Sequence, residues 1–409
     1  MENQYNLDKA CIAALASEAE REITKICHTF GPRPCGEAGE TDAQKYLLDK
    51  LAAYGEARRE TFTVHPDAFM SFVPLAGVSL MAAGACNAIA ALKNKKFALG
   101  AIAGMGTAVA GIVGEFGLYK EMLDPCFKEK TSGNVICVRP AAGETKRRII
   151  ISGHTDSAPE WTYTYELGSK GVLTVAGYGI AGLAYTVVQT IVNLVSRNKS
   201  LKRKLMLGQT LFLPAYGLLL RFTDSKNYVP GASDDLSGVM VAASVMQYLQ
   251  SHEITFENTE VIALLTGGEE CGLRGAKAFF KAHPEMKDDG VETVFLGFDT
   301  IRDEAYMTIY EGDMSGVVKN DRGACEFLQR CASDCGCDVP IGTIPLGSTD
   351  AAAASQAGIR AASFVAMDPA PARYYHTRLD TPENLIPETI AKGIEIALTA
   401  VFDYDAKGI

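Results

Sequence analysis

Two pairs of long apolar stretches constrain this 409-residue chain more than any other feature. They cover roughly Ala68–Leu92 and Phe97–Val113, then Val172–Val195 and Leu205–Leu220. The first and third carry no charged residue over the ~20 residues that a membrane-spanning helix needs. Each pair turns over at a basic segment, KNKK (Lys93–Lys96) and SRNKSLKRK (Ser196–Lys204). Between and after the pairs the chain reads as strands and amphipathic helices, so the apolar stretches interrupt a domain rather than form one.

That interrupted domain has a definite class. ARRETFTVH alternates as a strand, and GNVICVRP and KRRIIISGHTD are separated by the turn-rich AAGET, which predicts an antiparallel hairpin. From Tyr228 the pattern alternates: a helix over 239–249, the strand TEVIALLTG, a helix after Gly272, the strands ETVFLGFDT, AYMTIY and AASFVAM, and a helix over 387–402. The expectation is an α/β fold, a doubly wound, mixed, mostly parallel central sheet flanked by helices, with an inserted hydrophobic helical subdomain. The catalytic domain is expected at 1–66, 130–170 and 221–409, and the inserted hairpins at 67–129 and 171–220.

Composition narrows the partners. A net charge of -10 with no basic stripe of interleaved aromatics argues against nucleic acid. The eleven cysteines are odd in number and lack paired C-x-x-C spacing, so they read as reduced, buried residues. The amino-terminal MENQYNLDKACIAALASEAEREITKI is an acidic amphipathic helix pattern without the features of a cleavable signal peptide.

Five motifs place charge at the ends of apolar strands, where it needs a partner or a metal. His154 and Asp156 end IIISGHTD, Asp234 and Asp235 sit in GASDDLSG, Glu269 and Glu270 end IALLTGGEE, Asp299 ends VFLGFD, and His376 lies in RYYHTRLDTPEN. Each has an ordinary alternative: Asp234 or Asp235 as a helix cap, Glu269 paired with Arg274, the histidines in structural hydrogen bonds. That all five hold such roles at one sheet end is improbable. Carboxylates mixed with imidazoles suit Zn²⁺, with Mn²⁺ and Co²⁺ as further options.

HTD, GASDDLSG, GGEECGLRGAKAF, FLGFD and YYHTRLDTPENL, with the amino-terminal GPRPCGEAGETDAQKYL, resemble in order the co-catalytic zinc aminopeptidases of peptidase family M28. Glutamate carboxypeptidase and glutaminyl cyclase are relatives in that family. The resemblance covers about 20–66 and 130–405. It implies two zinc ions bridged by Asp234, one held also by Glu270 and His376, the other by His154 and Asp299. It further implies that Asp156 orients His154, that a strained or cis peptide joins Asp234 to Asp235, and that Glu269 is the general base. The substrate it implies is a peptide with a free amino terminus.

The chain departs from the pattern between His154 and Asp234, which the second apolar pair lengthens, and around Asp350, where GSTDAAAASQAGI lacks the usual aromatic. Tyr306, Tyr310 and Tyr374 are candidates for stabilising an oxyanion. Two alternatives stay open for the site: a single-zinc glutaminyl-cyclase-like acyl transfer, or a non-catalytic, receptor-like member. For the hairpins, membrane association is expected. The positive-inside rule puts the basic tips in the cytoplasm and the catalytic domain outside. The alternatives are hairpins dipping into one leaflet from the cytoplasm, or a lid or homodimer interface in a cytoplasmic protein.

Overall fold

The computed structural model describes residues 5–345, 347–370 and 372–409; the first four residues of the expected amino-terminal helix lie outside these. Along the chain come α1 (Lys9–Phe30), α2 (Ala38–Leu51), β1 (Glu56–Val64), α3 (Phe72–Leu92) and α4 (Ala98–Gly111). Then follow β2 (Lys130–Arg139), β3 (Arg147–His154), β4 (Pro159–Trp161), α5 (Thr162–Leu167) and α6 (Ser169–Val195). Next are α7 (Lys199–Gln209), α8 (Leu213–Leu219), β5 (Thr223–Tyr228), α9 (Leu236–Ser251), β6 (Thr259–Thr266) and α10 (Arg274–Ala282). The chain ends with β7 (Glu292–Ile301), β8 (Met307–Tyr310), α11 (Arg322–Asp334), β9 (Ile341–Gly342), α12 (Asp350–Gln356), β10 (Arg360–Ala366) and α13 (Pro387–Lys407).

These elements form two units: the chain up to Pro66 with Glu129–Ala158 and Tyr228–Ile409, and a second unit of Asp67–Lys128 with Pro159–Asn227. The first unit is built on an eight-stranded sheet in the order β1-β2-β6-β3-β7-β10-β8-β9. The pairs β3–β6, β3–β7, β7–β10 and β8–β9 are parallel, while β1–β2, β2–β6 and β8–β10 are antiparallel. This is the mixed, mostly parallel α/β sheet expected, with one correction. β2 and β3 are not a hairpin, because β6 lies between them, antiparallel to β2 and parallel to β3. The connection after Arg139 therefore crosses the width of one strand.

The central strands are covered on both faces, which explains their unbroken apolar runs. On β3, Ile149 and Ile151 join the core that includes Val239, Val245 and Ile394 of α9 and α13. Ile150 points the other way, into a core with Phe279, Phe295 and Ala351. α9 lies unusually close to the sheet: a Cβ on Gly238 would come within 1.9 Å of the Phe298 carbonyl. Only glycine admits that approach, and it brings the residues just before α9 to the carboxyl ends of β3 and β7.

The second unit is organised in the opposite sense. Helices spanning Phe69–Leu92, Lys95–Gly117 and Ser169–Val195 are 24, 23 and 27 residues long and apolar enough to cross a membrane. The fourth stretch is broken, with α7 and α8 joined through a short turn at Thr210–Phe212. Its buried seam is polar: Asn87 Nδ2 donates to Thr190 Oγ1 at 2.8 Å, Asn193 Nδ2 to the Asn87 carbonyl at 2.9 Å, and Gln209 Nε2 to Tyr216 Oη at 2.9 Å. Outward, Leu99, Ile180 and Val195 are 63%, 69% and 74% exposed.

Candidate active site

The carboxyl ends of β3, β6, β7 and β10 lie at one end of the sheet, and the candidate residues gather there, as ligand sites do in open α/β sheets. His154 is the last residue of β3, paired with Thr266 at the end of β6. Glu269 and Glu270 follow β6, Asp234 and Asp235 precede α9, and His376 follows β10. Asp299 lies on β7 where its register with β10 slips: Asp299 pairs with Val365, Ile301 with Ala366, and Thr300 between them has φ 50°. Such an irregularity re-aims the side chains beside it.

Asp234 occupies the centre. Its Oδ1 lies 3.1 Å from His154 Nε2 and its Oδ2 3.1 Å from His376 Nε2. His376 Nε2 is also 3.2 Å from Glu270 Oε1, and His154 Nε2 is 3.9 Å from Glu269 Oε2. The peptide between Asp234 and Asp235 is cis. Asp156 places Oδ1 3.4 Å from His154 Nδ1. It also accepts the backbone N–H groups of Glu269 at 3.0 Å and Glu270 at 3.2 Å, so one carboxylate positions both the imidazole and the glutamate pair.

Seven carboxylates, Asp156, Asp234, Asp235, Glu269, Glu270, Asp299 and Asp350, thus crowd around two imidazoles. Burial and the neighbouring Asp234 push Asp299 up to about 7. Burial also raises Glu269 well above the usual carboxylate range, with Glu270, Asp350 and Asp299 adding to it and His154 opposing. At Asp234 burial acts upward too, yet the hydrogen bond to His154 and the nearby His376 imidazole prevail and hold it below the usual range. So much buried negative charge calls for cations.

The donor chemistry fits divalent metal. Asp234 Oδ2 and Glu270 Oε1 are buried without a hydrogen bond. Ligating atoms of His154, Asp234 and Glu270 lie within 4.8 Å of one another, as do those of His154, Asp235 and Asp299. Asp235 is nonetheless taken by the backbone: Oδ1 accepts from Gly238 at 2.9 Å and Thr300 at 3.1 Å, and Oδ2 from His154 at 2.9 Å. It holds the loop, while Asp234, Glu270, His376, His154 and Asp299 remain as oxygen and nitrogen donors at the same sheet end.

Three contributors lie outside the expected set. Arg33 is fully buried and donates to the carbonyls of Thr155, Pro230 and Gly231 at 2.8, 2.6 and 2.8 Å, tying together the two loops that carry Asp156 and Asp234. Asp380 accepts from the Ser233 and Asp234 amides at 2.8 and 3.0 Å. Asp350 lines a small pocket with His154, Glu269 and Asp299, its Oδ2 bonded by Thr266 Oγ1. The GPR, LDTPEN and TDA runs were the available signals. Of the tyrosine candidates, Tyr374 donates to Asp303 at 2.7 Å and Tyr306 is 43% exposed. Tyr310 lines a second pocket with Asp299, Thr300, Ile344, Val365, Met367 and Tyr375.

A mixed sheet of this topology is that of the zinc-peptidase-like α/β proteins. Residues 222–401 match the model described as Peptidase family M28, so the resemblance to that family holds over this segment. Among solved structures the chain is similar to a zinc aminopeptidase from Bacillus subtilis, with TM-score 0.57 and 14% identity over 95% of each chain. It is also similar to an aminopeptidase from Aneurinibacillus sp. strain AM-1, with TM-score 0.57 and 15% identity over 97% of this chain and 96% of that one. A third is a glutaminyl cyclase from Fimbriiglobus ruber, with TM-score 0.53 and 14% identity over 94% of each chain. No curated protein matches the sequence.

Proposed function

We propose that this chain is a metal-dependent aminopeptidase that removes residues from the free amino terminus of peptides, using two zinc ions. The observation that supports the reading most is the posture of Asp234, which turns one oxygen to His154 and the other to His376, each at 3.1 Å. One carboxylate facing two imidazoles from opposite oxygens is suited to lie between two cations. In the proposal Asp234, Glu270 and His376 hold one ion, and Asp234, His154 and Asp299 the other. Bound zinc would supply Lewis-acid polarisation of the scissile carbonyl and a more acidic water.

The remaining work falls to side chains. Glu269 is the general base: it takes the proton of the attacking water and delivers it to the leaving amine. Asp156 keeps His154 and the Glu269–Glu270 backbone in place, and Asp235 fixes the loop that presents Asp234. Beside Asp299, Ile344, Val365 and Met367 stand with Thr300, Ser348 and Thr349 and offer a partly apolar wall to an amino-terminal side chain.

We further propose that the second unit is membrane-embedded, because its polar residues face inward and its apolar residues outward. Two measurements test the reading. A panel of aminoacyl chromogenic substrates should be hydrolysed, leucyl ones included, and hydrolysis should stop with chelator; activity on none of them would sink the aminopeptidase. Detergent-free fractionation should leave the protein with membranes, and a fully soluble, monodisperse protein would sink the membrane assignment.

A further inference from the structure

The two basic hairpin tips, separated by about a hundred residues of sequence, lie at the same end of the second unit. The turn Lys95–Phe97 packs against α6 and α7 packs against α3, so both tips sit at one end of the helical bundle. There they gather Lys93, Lys95, Lys96, Arg197, Lys199, Lys202, Arg203 and Lys204, with no aspartate or glutamate in either tip. Part of this charge has a local use, since cations favour helix carboxyl termini and α3 and α6 both end here. Lys202 does this directly, donating to the Asn193 carbonyl at 2.8 Å. The other seven are exposed, and among the described residues no ion pair to them is recorded.

Immediately beyond this collar the surface turns apolar. Leu92 and Phe97 are 54% and 45% exposed, and Val195 and Leu207 are 74% and 64% exposed. α7 itself sets lysines and Arg203 beside outward Leu201 and Leu207, the pattern of a helix lying at a membrane surface. Uncompensated cationic charge bordering an apolar belt matches the layering of a bilayer leaflet with anionic headgroups, where each Lys or Arg strengthens attraction several-fold.

We infer that the two tips together form a binding surface for anionic phospholipid headgroups at one bilayer face. The inference rests on the membrane reading of the second unit and adds the chemistry and the end of the bundle that is recognised. Two variants divide the collar, K93Q/K95Q/K96Q and R197Q/K199Q/R203Q/K204Q; all seven positions belong to the second unit.

The test follows thermal unfolding of the detergent-extracted full chain while dioctanoyl phosphatidylglycerol or dioctanoyl phosphatidylcholine is added. Phosphatidylglycerol should raise the melting temperature, phosphatidylcholine should not, and salt should weaken the effect. At roughly five-fold per charge, the triple variant should need on the order of a hundred-fold more phosphatidylglycerol for the same shift. Each variant's melting temperature without lipid shows whether it folds, and either folded one suffices. Equal responses to the two lipids, or variants that respond as the wild type does, would overturn the inference. So would an equal response to inorganic phosphate, which would mark a free-anion site. A chain that never enters membranes defeats the membrane reading instead, and is detected earlier, at fractionation.

Discussion

Glu269 and Glu270 are adjacent and chemically alike, yet their surroundings separate them. Glu270 Oε1 sits 3.2 Å from His376 Nε2, on the Asp234 side, whereas Glu269 approaches only His154, at 3.9 Å. Glu269→Ala should therefore lower kcat by about 10²–10⁴-fold while the purified protein keeps its zinc. Glu270→Gln should lose zinc together with activity. Metal analysis beside a rate assay separates the two, and a Glu269→Ala enzyme with full activity would remove the general base from the account. These residues were legible in sequence because each stands at the end of an apolar strand, where a charge is conspicuous. Arg33 and Asp380 were not. They act on backbone carbonyls and amides, and a sequence does not reveal which loops a side chain will bridge. Asp350 was visible as part of TDA, but only the fold places it beside Glu269.

At the scale of elements, two contacts decide how the site is held. The start of α9 touches the sheet through Gly238, so Gly238→Ala should cost about 1–3 kcal/mol in urea unfolding and displace the Asp234 loop. An unchanged midpoint and unchanged activity would show that the close approach is dispensable. α2 is tied to β2 by Glu40, fully buried, which accepts from Ser132 Oγ at 2.8 and 2.9 Å and from the Gly36 amide at 2.7 Å. Burial, then the nearby Asp156, pushes Glu40 up to about 8 against the opposing hydrogen bonds.

The folded chain thus holds a proton that the unfolded chain has released between the ordinary carboxylate range and about pH 8. Stability contributed by this group is full below that window and declines as pH rises through it. Relative to wild type, Glu40→Gln should gain stability progressively from pH 5 to about 8, read by chemical unfolding at several pH values; a difference constant with pH would contradict the assignment. Most elements were legible from periodicity, including β3 and β7, which carry His154 and Asp299. The β2–β3 hairpin was misread because chain proximity favours neighbours, while the actual neighbour, β6, arrives from more than a hundred residues later. α11 and α12 left weaker signals: α12 is a seven-residue helix of mostly alanine, with too few turns to show a period.

For the molecule as a whole, two kinds of unit share one chain, and their polarities are inverted. The first buries apolar strands and concentrates charge at one sheet end; the second buries amides and hydroxyls and exposes leucine, isoleucine and valine. Periodicity and hydropathy make both kinds legible in the sequence. They did not reveal the polar seam, because Asn87, Thr186, Thr190 and Asn193 are scattered among apolar neighbours and meet only when α3 and α6 pack. The proposed activity depends most on metal at the first unit's site. Its most direct test is to strip the full-length protein with chelator and titrate zinc back while following release of nitroaniline from leucine p-nitroanilide. Activity should be absent at first and return to a plateau at about two zinc ions per chain. Hydrolysis that survives the chelator, or that no amount of zinc restores in a still-folded protein, would contradict it.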